Sequence, residues 1–329
     1  MEIKGRSILT VTLNPCVDKT LTFDSPFRIA RTNRVSEYLY SPGGKGINVS
    51  RTLRRMGNPA PAVFPVGGET GRHLMRMLEK DGISTYPVES AAETRTCLKM
   101  VDPEGICTEA NEAGGPLTES ELSAIEDILY GKAGNVRPSS TAYVFSGSVP
   151  RGVPKTVYRD WITALKEQGA YTVLDTSGEA LIEGVKACPD LIKPNADELA
   201  MLCGKAPEGN TFNEYTMSAI ELADEVVKEY GCAVLCTLGA WGAAYVSYDY
   251  IFRVNAEMIR AKSTTGAGDV FLGAFLHEMR LQYDPPGALL FAAYASGDKL
   301  MDPGTEIPET IGTRNTGALK TEQINGDRL

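Results

Sequence analysis

The sequence predicts an α/β fold in which helices cover both faces of a mostly parallel sheet and a small second β-sheet stands off it. From about residue 118 onward, strand-like and helix-like segments alternate with short turns, which is the pattern of a parallel sheet with helical crossovers. Two earlier segments, at about 17–41 and 86–112, are β-prone, half-polar and without helical period. We expect these segments to form the second sheet, a candidate lid inserted in a single domain of residues 1–329.

The early elements are a strand at "ILTVTLNP" and a helix within residues 42–57, "PGGKGINVSRTLRRMG". A glycine turn opens this helix, and Gly57 ends it. Residues 17–41 and 86–112 lie on either side, with the runs "RVSEYLY" and "TRTCLKMV" as their clearest strands. The alternation of strand and helix therefore starts with this strand and helix, and the two segments of the candidate lid interrupt it.

The later elements follow one another in strict order. Thr118 and Glu121 form a capping box that begins a helix, "TAYVFSG" is a strand, and "PKTVYRDWITALKEQG" is a helix opened by proline and closed by glycine. "YTVLDTS", "LIKPN" and "CAVLCTLG" continue the strands, and helices follow Gly268 and Pro286. The polar tail from about Gly312 is expected to be loosely held.

Composition excludes several functional classes. The 329 residues, 43% of them hydrophobic, suit one large α/β domain or two smaller ones. A net charge of −9 leaves no basic footprint for nucleic acid or an anionic membrane. No signal pattern opens the chain and no apolar run spans a bilayer, so we expect a cytoplasmic protein without nucleic-acid or membrane partners.

Cysteine and histidine usage narrows the chemistry. The seven cysteines include no CxxC pair, and Cys232 and Cys236 fall on one face of a strand, so we interpret the cysteines as reduced thiols. The two histidines, His73 and His277, each lie within a helical pattern. Because a histidine-based metal site or a serine triad would need partners that this chain scarcely offers, catalysis is expected to use carboxylates.

The stretch "STTGAGD", Ser263 to Asp269, removes side-chain bulk and then places one acid. The following "VFLGAFLHEM" is helical, so the glycine run ends where helix N-terminal N–H groups are unpaired. The pattern predicts an anion site with a carboxylate beside it.

Three further motifs have two interpretations each. "PGGKG" is neither a Walker A loop nor a GxGxxG fingerprint and is equally consistent with an ordinary helix-entry turn. Asn195 and Glu198 lie three apart at a strand-to-helix junction, where they either hold water around Mg²⁺ or simply begin a helix. "TLGAWGA", from Thr237 to Ala243, is either a ligand loop or a hairpin turn.

Taken in order, "GGKGINVS", "SGSVPRGV", "DTSGEAL", "IKPNADE", "TLGAWGA" and "STTGAGD" resemble the motifs of the PfkB-type, ribokinase-like carbohydrate kinases. "TLNPCVD", "NRVSEY", "TRTCLKM" and "TEANEAGGPLTE" resemble the branch that contains 1-phosphofructokinases and tagatose-6-phosphate kinases. The resemblance runs from Thr10 to about Pro308. It implies a ribokinase-like three-layer sandwich with a β-sheet lid, and ATP and Mg²⁺ as cofactors.

The resemblance also implies roles for particular residues. Asp269 would be the base that deprotonates the sugar hydroxyl, with transferring phosphoryl charge held by the backbone of Gly266, Ala267 and Gly268. Arg95 would grip the phosphate already on the sugar. Sugar hydroxyls would be held by Asp18, Gly43, Gly44 and Asn48, beside Lys45. Asn195 would bind the nucleotide phosphates, and Glu198 would hold Mg²⁺ through water. Thr237, Gly239 and Gly242 would form the loop beside the nucleotide.

The expected reaction is phosphorylation of a ketohexose phosphate, most favourably fructose 1-phosphate at O6, by a homodimer paired through the lid. A tagatose-6-phosphate kinase is the alternative within the class, and a non-catalytic sugar-phosphate-binding regulator is the alternative outside it. A dinucleotide oxidoreductase is disfavoured by the missing GxGxxG. Three positions depart from the family pattern, namely Thr265, Val270 and Cys97.

Overall fold

The computed structural model describes residues 2–257, 259, 261, 263–302, 306–312 and 317–324, which contain two β-sheets and nine α-helices. The strands are β1 (Ser7–Val11), β2 (Cys16–Phe23), β3 (Val35–Gly43), β4 (Ala62–Val66), β5 (Thr85–Glu89), β6 (Arg95–Val101), β7 (Cys107–Asn111), β8 (Thr141–Ser146), β9 (Tyr171–Asp175), β10 (Leu191–Ile192), β11 (Ala233–Thr237), β12 (Ala243–Val246), β13 (Ile251–Val254) and β14 (Thr321–Gln323). The helices are α1 (Lys45–Arg55), α2 (Gly68–Lys80), α3 (Glu119–Leu129), α4 (Val157–Glu167), α5 (Glu179–Val185), α6 (Ala196–Cys203), α7 (Phe212–Tyr230), α8 (Ala267–Leu281) and α9 (Pro285–Leu300).

The large sheet has ten strands in the order β14-β13-β12-β11-β10-β9-β8-β1-β4-β5. Neighbours from β5 to β11 pair in parallel, and β12, β13 and β14 add an antiparallel edge. The mostly parallel sheet predicted from the alternation is therefore confirmed. Its carboxyl edge is where β1, β8, β9, β10 and β11 all end, and open α/β sheets bind ligands at such an edge.

Helices cover both faces of this sheet, as predicted. Along β8 the side chains alternate: Tyr143 and Phe145 are buried under α3 to α7, while Ala142 and Val144 are buried under α1, α8 and α9. A third cluster joins α1, α2 and β4 to Val17 of the small sheet. The small sheet is thus anchored to the main body through α1 and α2. No helix in the described ranges combines the length and the apolar character needed to cross a membrane.

The small sheet has four strands in the order β3-β2-β6-β7. The predicted segment 17–41 matches β2 and β3, but the start of the predicted segment 86–112 is wrong. Residues 85–89 form β5, which pairs in parallel with β4 at the edge of the large sheet, so the second segment of the small sheet begins at Arg95. The short run "TYPVE" is β-prone, and this composition suits a strand of either sheet, so the sequence alone did not show which sheet it joins.

Helix starts agree with the sequence in most places. Thr118 and Glu121 form the predicted capping box of α3. The helix predicted from Pro154 begins instead at Val157, since residues 154–156 form a turn. The tail was expected to be loose, yet β14 pairs with β13; residues 313–316 and 325–329 of that tail lie outside the described residues.

Candidate active site

Asp269 lies in the first turn of α8, directly after the glycine run. Gly266 precedes the helix with φ of 79°, a conformation that favours glycine. The Asp269 side chain is buried, and its Oδ2 accepts a 2.8 Å hydrogen bond from Nδ2 of Asn48 on α1. The remaining amide oxygen of Asn48 is buried without a hydrogen-bond partner among the described residues. The predicted acid beside a helix N-terminus is therefore present. The amide oxygen of Asn48, on α1, is an acceptor that remains unpaired within the described part of the chain.

The pKa of Asp269 is raised to about 6. Burial is the largest cause, because it disfavours the charged form, and the nearby carboxylate of Asp175 adds to it. Lys45, Asn48 and Lys193 oppose the rise by stabilising the carboxylate. A carboxylate with a pKa near neutrality is suited to accept a proton at physiological pH.

Asp175 pairs with two lysines near Asp269, a role that the sequence did not predict. It ends β9 and is fully buried. Its Oδ1 lies 3.1 Å from Nζ of Lys193 and 3.3 Å from Nζ of Lys45, and its Oδ2 accepts a hydrogen bond from Ser146. Burial alone would raise the pKa of Asp175, but Lys193 and Lys45 outweigh it and the pKa is lowered.

Lys193 was also missed. It follows β10, is 5% exposed, and its ammonium lies 3.7 Å from where a Cβ on Gly268 would be. Asp175 raises the pKa of Lys45 above its usual range, so the second lysine stays charged. The signal available in the sequence was weak: an acid ending one buried strand and a lysine ending the next. Lys193 thus borders the glycine run at the point where an anion is expected, and Lys45 is held by the same Asp175 carboxylate.

Asp18 lies in the small sheet near the start of α1. A Cβ on Gly43 would come 2.8 Å from Cγ of Asp18, so glycine is required for the close approach. Gly44 has φ of 112° and directly precedes α1. Asp18 also lies 3.6 Å from Nζ of the buried Lys99, a residue that sequence reasoning did not single out. Asp18, Gly43, Gly44, Lys45 and Asn48 therefore occupy one continuous region between the small sheet and α1.

Arg95 begins β6 and is held by backbone carbonyls. Its Nη1 donates to the oxygen of Glu112 at 2.8 Å and its Nη2 to the oxygen of Asn14 at 3.0 Å. The buried Nε makes no hydrogen bond to any described residue. Arg95 lines a polar cavity of about 300 Å³ together with Thr70, Glu93, Thr94, Thr96, Glu112, Gly114 and Gly115. The two carbonyl bonds therefore fix the guanidinium beside a polar cavity.

Asn195 and Glu198 meet at the start of α6. The Glu198 N–H donates to Oδ1 of Asn195 at 2.8 Å, and the Asn195 N–H donates to Oε2 of Glu198 at 2.9 Å. These two hydrogen bonds form a capping box, so the interpretation of these residues as a helix start is confirmed. Asn195 also bridges to Thr237 at the end of β11. An amide and a buried carboxylate at this edge suit a hydrated Mg²⁺, which keeps most of its water.

A cleft of about 1020 Å³ opens beside these residues. Asn195, Thr237, Gly239, Gly242 and Gly268 line it, with apolar walls that include Phe271, Ala293 and Leu300. The loop of "TLGAWGA" is the turn between the antiparallel strands β11 and β12, as the hairpin interpretation predicted. A Cβ on Gly242 would meet the Val254 oxygen at 2.1 Å. The cleft has the size and the mixed lining of a site for a large cofactor.

With this geometry in hand, comparison with known proteins decides the family. The model of the pfkB family carbohydrate kinases matches residues 11–310. The chain belongs to this family. The resemblance inferred from the motifs is thereby confirmed, and with it the assignment of the protein to a family of sugar-phosphorylating enzymes.

Two of the similar proteins are named as a 1-phosphofructokinase and a tagatose-6-phosphate kinase. The chain is 26% identical over 324 residues to a 1-phosphofructokinase of Vibrio cholerae, covering 98% of each. It is 32% identical over 266 residues to a tagatose-6-phosphate kinase of Staphylococcus epidermidis, covering 80% of this chain and 82% of that protein.

Solved structures of the pfkB family show the same fold. Phosphofructokinase-2 from Escherichia coli in complex with substrates and products matches with a TM-score of 0.83 and 28% identity, over 92% of this chain and 95% of that one. The tetrameric inhibited form of that enzyme matches with a TM-score of 0.82 and 27% identity, over 91% and 96%. The ribokinase-like fold with its separate small sheet is therefore confirmed.

Proposed function

We propose that this pfkB-family protein transfers the γ-phosphoryl group of ATP to a ketohexose phosphate, with fructose 1-phosphate as the preferred acceptor at O6. The observation that carries the proposal is the position of Asp269. Its buried carboxylate, with a pKa of about 6, lies at the N-terminus of α8, where it accepts a hydrogen bond from Asn48 and follows Gly268, which lines the large cleft. A base with an anion site on one side is what phosphoryl transfer to an alcohol requires.

In the proposed reaction, the O6 oxygen attacks the γ-phosphorus as its proton passes to Asp269. The bond from that phosphorus to the bridging oxygen breaks, and ADP leaves with the electron pair. The N–H groups of Gly266, Ala267 and Gly268 stabilise the charge on the phosphoryl oxygens, since they lie at the helix start. Asp175 holds Lys193 and Lys45 beside the same point.

The nucleotide is assigned to the cleft beside Thr237, Gly239 and Gly242, whose volume of about 1020 Å³ accommodates ATP. Mg²⁺ bound there would neutralise phosphate charge. Asn195 and Glu198 would hold it through water, because Glu198 already has one carboxylate oxygen committed to the helix start. This assignment keeps the metal hydrated, as Mg²⁺ prefers.

The sugar is assigned to Asp18, Gly43, Gly44 and Asn48, whose free amide oxygen is an acceptor for a hydroxyl. Arg95 would pair with the phosphate already on the substrate, since its guanidinium lines the polar cavity. Tagatose 6-phosphate is the second candidate, since a relative with 32% identity carries that name. A non-catalytic regulator is disfavoured because it would need neither the base nor the cations around it.

The small sheet is proposed to act as a lid and as the contact between two copies. Oγ1 of Thr265, in the glycine-run loop, donates to Oε1 of Glu109 on β7 at 2.9 Å, so the small sheet reaches the anion site. On β3, Tyr38 and Leu39 are 66% and 46% exposed. A second copy would cover them, and the tetrameric form of a relative supports self-association.

The seven free thiols support a cytoplasmic location.

The test is product identification. Protein, MgATP and fructose 1-phosphate should yield ADP and fructose 1,6-bisphosphate in equal amounts, with ³¹P NMR placing the new phosphate on O6. Formation of ADP without a bisphosphate would contradict the proposal, because it would show hydrolysis of ATP without an acceptor.

A further inference from the structure

Three metal-ligating side chains converge in the small sheet, apart from the proposed magnesium site. Cys16 and Asp18 lie on β2 and Cys97 on β6, and one ligand atom from each lies within 4.8 Å of the other two. All three residues are at least 96% buried. Asp18 pairs with Cys97 in the parallel register, so the three side chains share one face. We propose that Cys16, Asp18 and Cys97 bind a soft divalent cation, for which Zn²⁺ is the best match.

The spacing of Cys16 and Asp18 suits two corners of a tetrahedral zinc site. The Sγ of Cys16 lies 3.5 Å from Oδ1 of Asp18. With zinc bonded to sulfur at about 2.3 Å and to oxygen at about 2.0 Å, neighbouring corners of the tetrahedron are roughly 3.5 Å apart. Thiolates select zinc over magnesium, because Mg²⁺ prefers oxygen ligands. The two protein sites therefore take different metals.

The charges around the cluster are compatible with a bound cation. Two thiolates, one carboxylate and Zn²⁺ sum to −1, and the buried Lys99 lies 3.6 Å from Oδ1 of Asp18. Its ammonium, which also lies 3.6 Å from Oε1 of the more exposed Glu109, offsets part of this surplus. Gly43 keeps room beside the ligands, since a Cβ there would lie 2.6 Å from Sγ of Cys16. Binding releases two thiol protons to solvent.

The register favours a metal over a disulfide. Cys16 pairs with Arg95 and Cys97 with Asp18, so the cysteines are two residues out of register. Strands about 4.8 Å apart and an advance of about 6.6 Å give a Cα separation of about 8 Å. Disulfides usually span about 4.4–6.8 Å between Cα atoms. A metal bridges the longer separation without moving the strands.

A bound zinc would engage the carboxylate that the sugar needs. This consequence rests on the proposed function, in which Asp18 holds a sugar hydroxyl, whereas the metal site itself does not. Zinc should therefore inhibit by raising KM for the sugar phosphate while leaving kcat at saturating sugar unchanged. Cys97 is one of the positions that depart from the family pattern, so this inhibition would be particular to chains with this cysteine pair.

The experiment is a titration of the full-length, metal-free protein with Co²⁺ and with Zn²⁺. One equivalent of Co²⁺ should produce thiolate-to-cobalt charge-transfer absorption in the near ultraviolet, and Zn²⁺ should abolish it. Cys16→Ala and Cys97→Ser should each weaken zinc affinity by about 10-fold or more, since a ligand is lost. Cys107→Ser, on β7 of the same sheet, is the matched control and should bind as the wild type does. Thermal unfolding of each variant identifies any that fails to fold.

Equal zinc affinity in wild type and the two ligand variants would overturn the proposal, as would the absence of charge-transfer absorption. Loss of two thiols on mild oxidation, without any metal-dependent absorption, would overturn it in favour of a disulfide. The proposed function is tested separately. If the protein binds zinc but phosphorylates no sugar phosphate, the metal site stands and the proposed function is contradicted. If it is an active kinase that does not bind zinc, the proposed function stands and the metal site is contradicted.

Discussion

Asp269 is the residue on which the chemistry depends, because its carboxylate is the base placed at the helix start. Asp269→Asn is nearly isosteric and preserves an oxygen acceptor for Asn48. We expect the variant to fold and bind both substrates, with kcat lower by about 10²- to 10⁴-fold, the usual contribution of a positioned base. Steady-state kinetics with fructose 1-phosphate measures the change. Asp160→Asn, an exposed residue of α4, is the control, and a kcat for Asp269→Asn above a tenth of wild type would remove the assigned role.

The raised pKa of Asp269 predicts a pH dependence with a definite sign. The base must be ionised to act, so kcat/KM should fall as the pH drops through about 6 and should be level above it. Asp175 contributes to the raised pKa, and it also pairs with Lys45 and Lys193, which lower it.

Asp175→Asn removes a negative charge and leaves two lysine ammonium groups unpaired beside Asp269. Both changes lower the pKa of Asp269, so the acid limb of the pH profile should move to lower pH. Profiles of kcat/KM for wild type and Asp175→Asn provide the comparison. A limb that stays in place, or moves to higher pH, would mean that a group other than Asp269 controls it.

The start of α6 has two functions to separate, beginning the helix and holding Mg²⁺. Glu198→Gln preserves the capping-box type, because glutamine also accepts the Asn195 N–H, but it removes the charge. We expect activity to fall and to be partly restored by added Mg²⁺. Glu121→Gln makes the same change in the capping box of α3, away from the site, and should leave the Mg²⁺ dependence unchanged. If both variants show the same Mg²⁺ dependence, Glu198 only caps the helix and does not hold Mg²⁺.

Among the helices and strands, the features that depend on neighbouring residues were predicted correctly. The alternation after residue 118, the capping box at Thr118 and the glycine run before α8 all depend on neighbouring residues, and each is observed. The sheet membership of β5 and the pairing of β14 with β13 depend on distant partners, and both were missed. Asp175 and Lys193 were missed for the same reason, because their salt bridge joins the ends of two different strands.

At the scale of the whole molecule, the small sheet has exposed apolar residues that a second copy would bury. We expect a homodimer in solution at micromolar concentration, with the exposed β3 at the contact. Leu39→Glu should shift the sedimentation of the protein toward the monomer, since a charge would be buried without a partner. Tyr248→Glu, at an exposed aromatic residue outside the small sheet, is the control. A monomeric wild type would contradict the proposed contact.

The most direct test of the account is the specificity for the acceptor. ADP release should be measured with fructose, ribose, fructose 1-phosphate, fructose 6-phosphate and tagatose 6-phosphate, for wild type and Arg95→Ala. We predict that kcat/KM is highest for fructose 1-phosphate and second highest for tagatose 6-phosphate. Arg95→Ala should raise KM for the phosphorylated sugars by about 10- to 100-fold, the loss of roughly 1.5–3 kcal/mol of charged hydrogen bonding, while free sugars are unaffected. A higher kcat/KM for any free sugar than for every sugar phosphate would contradict the account.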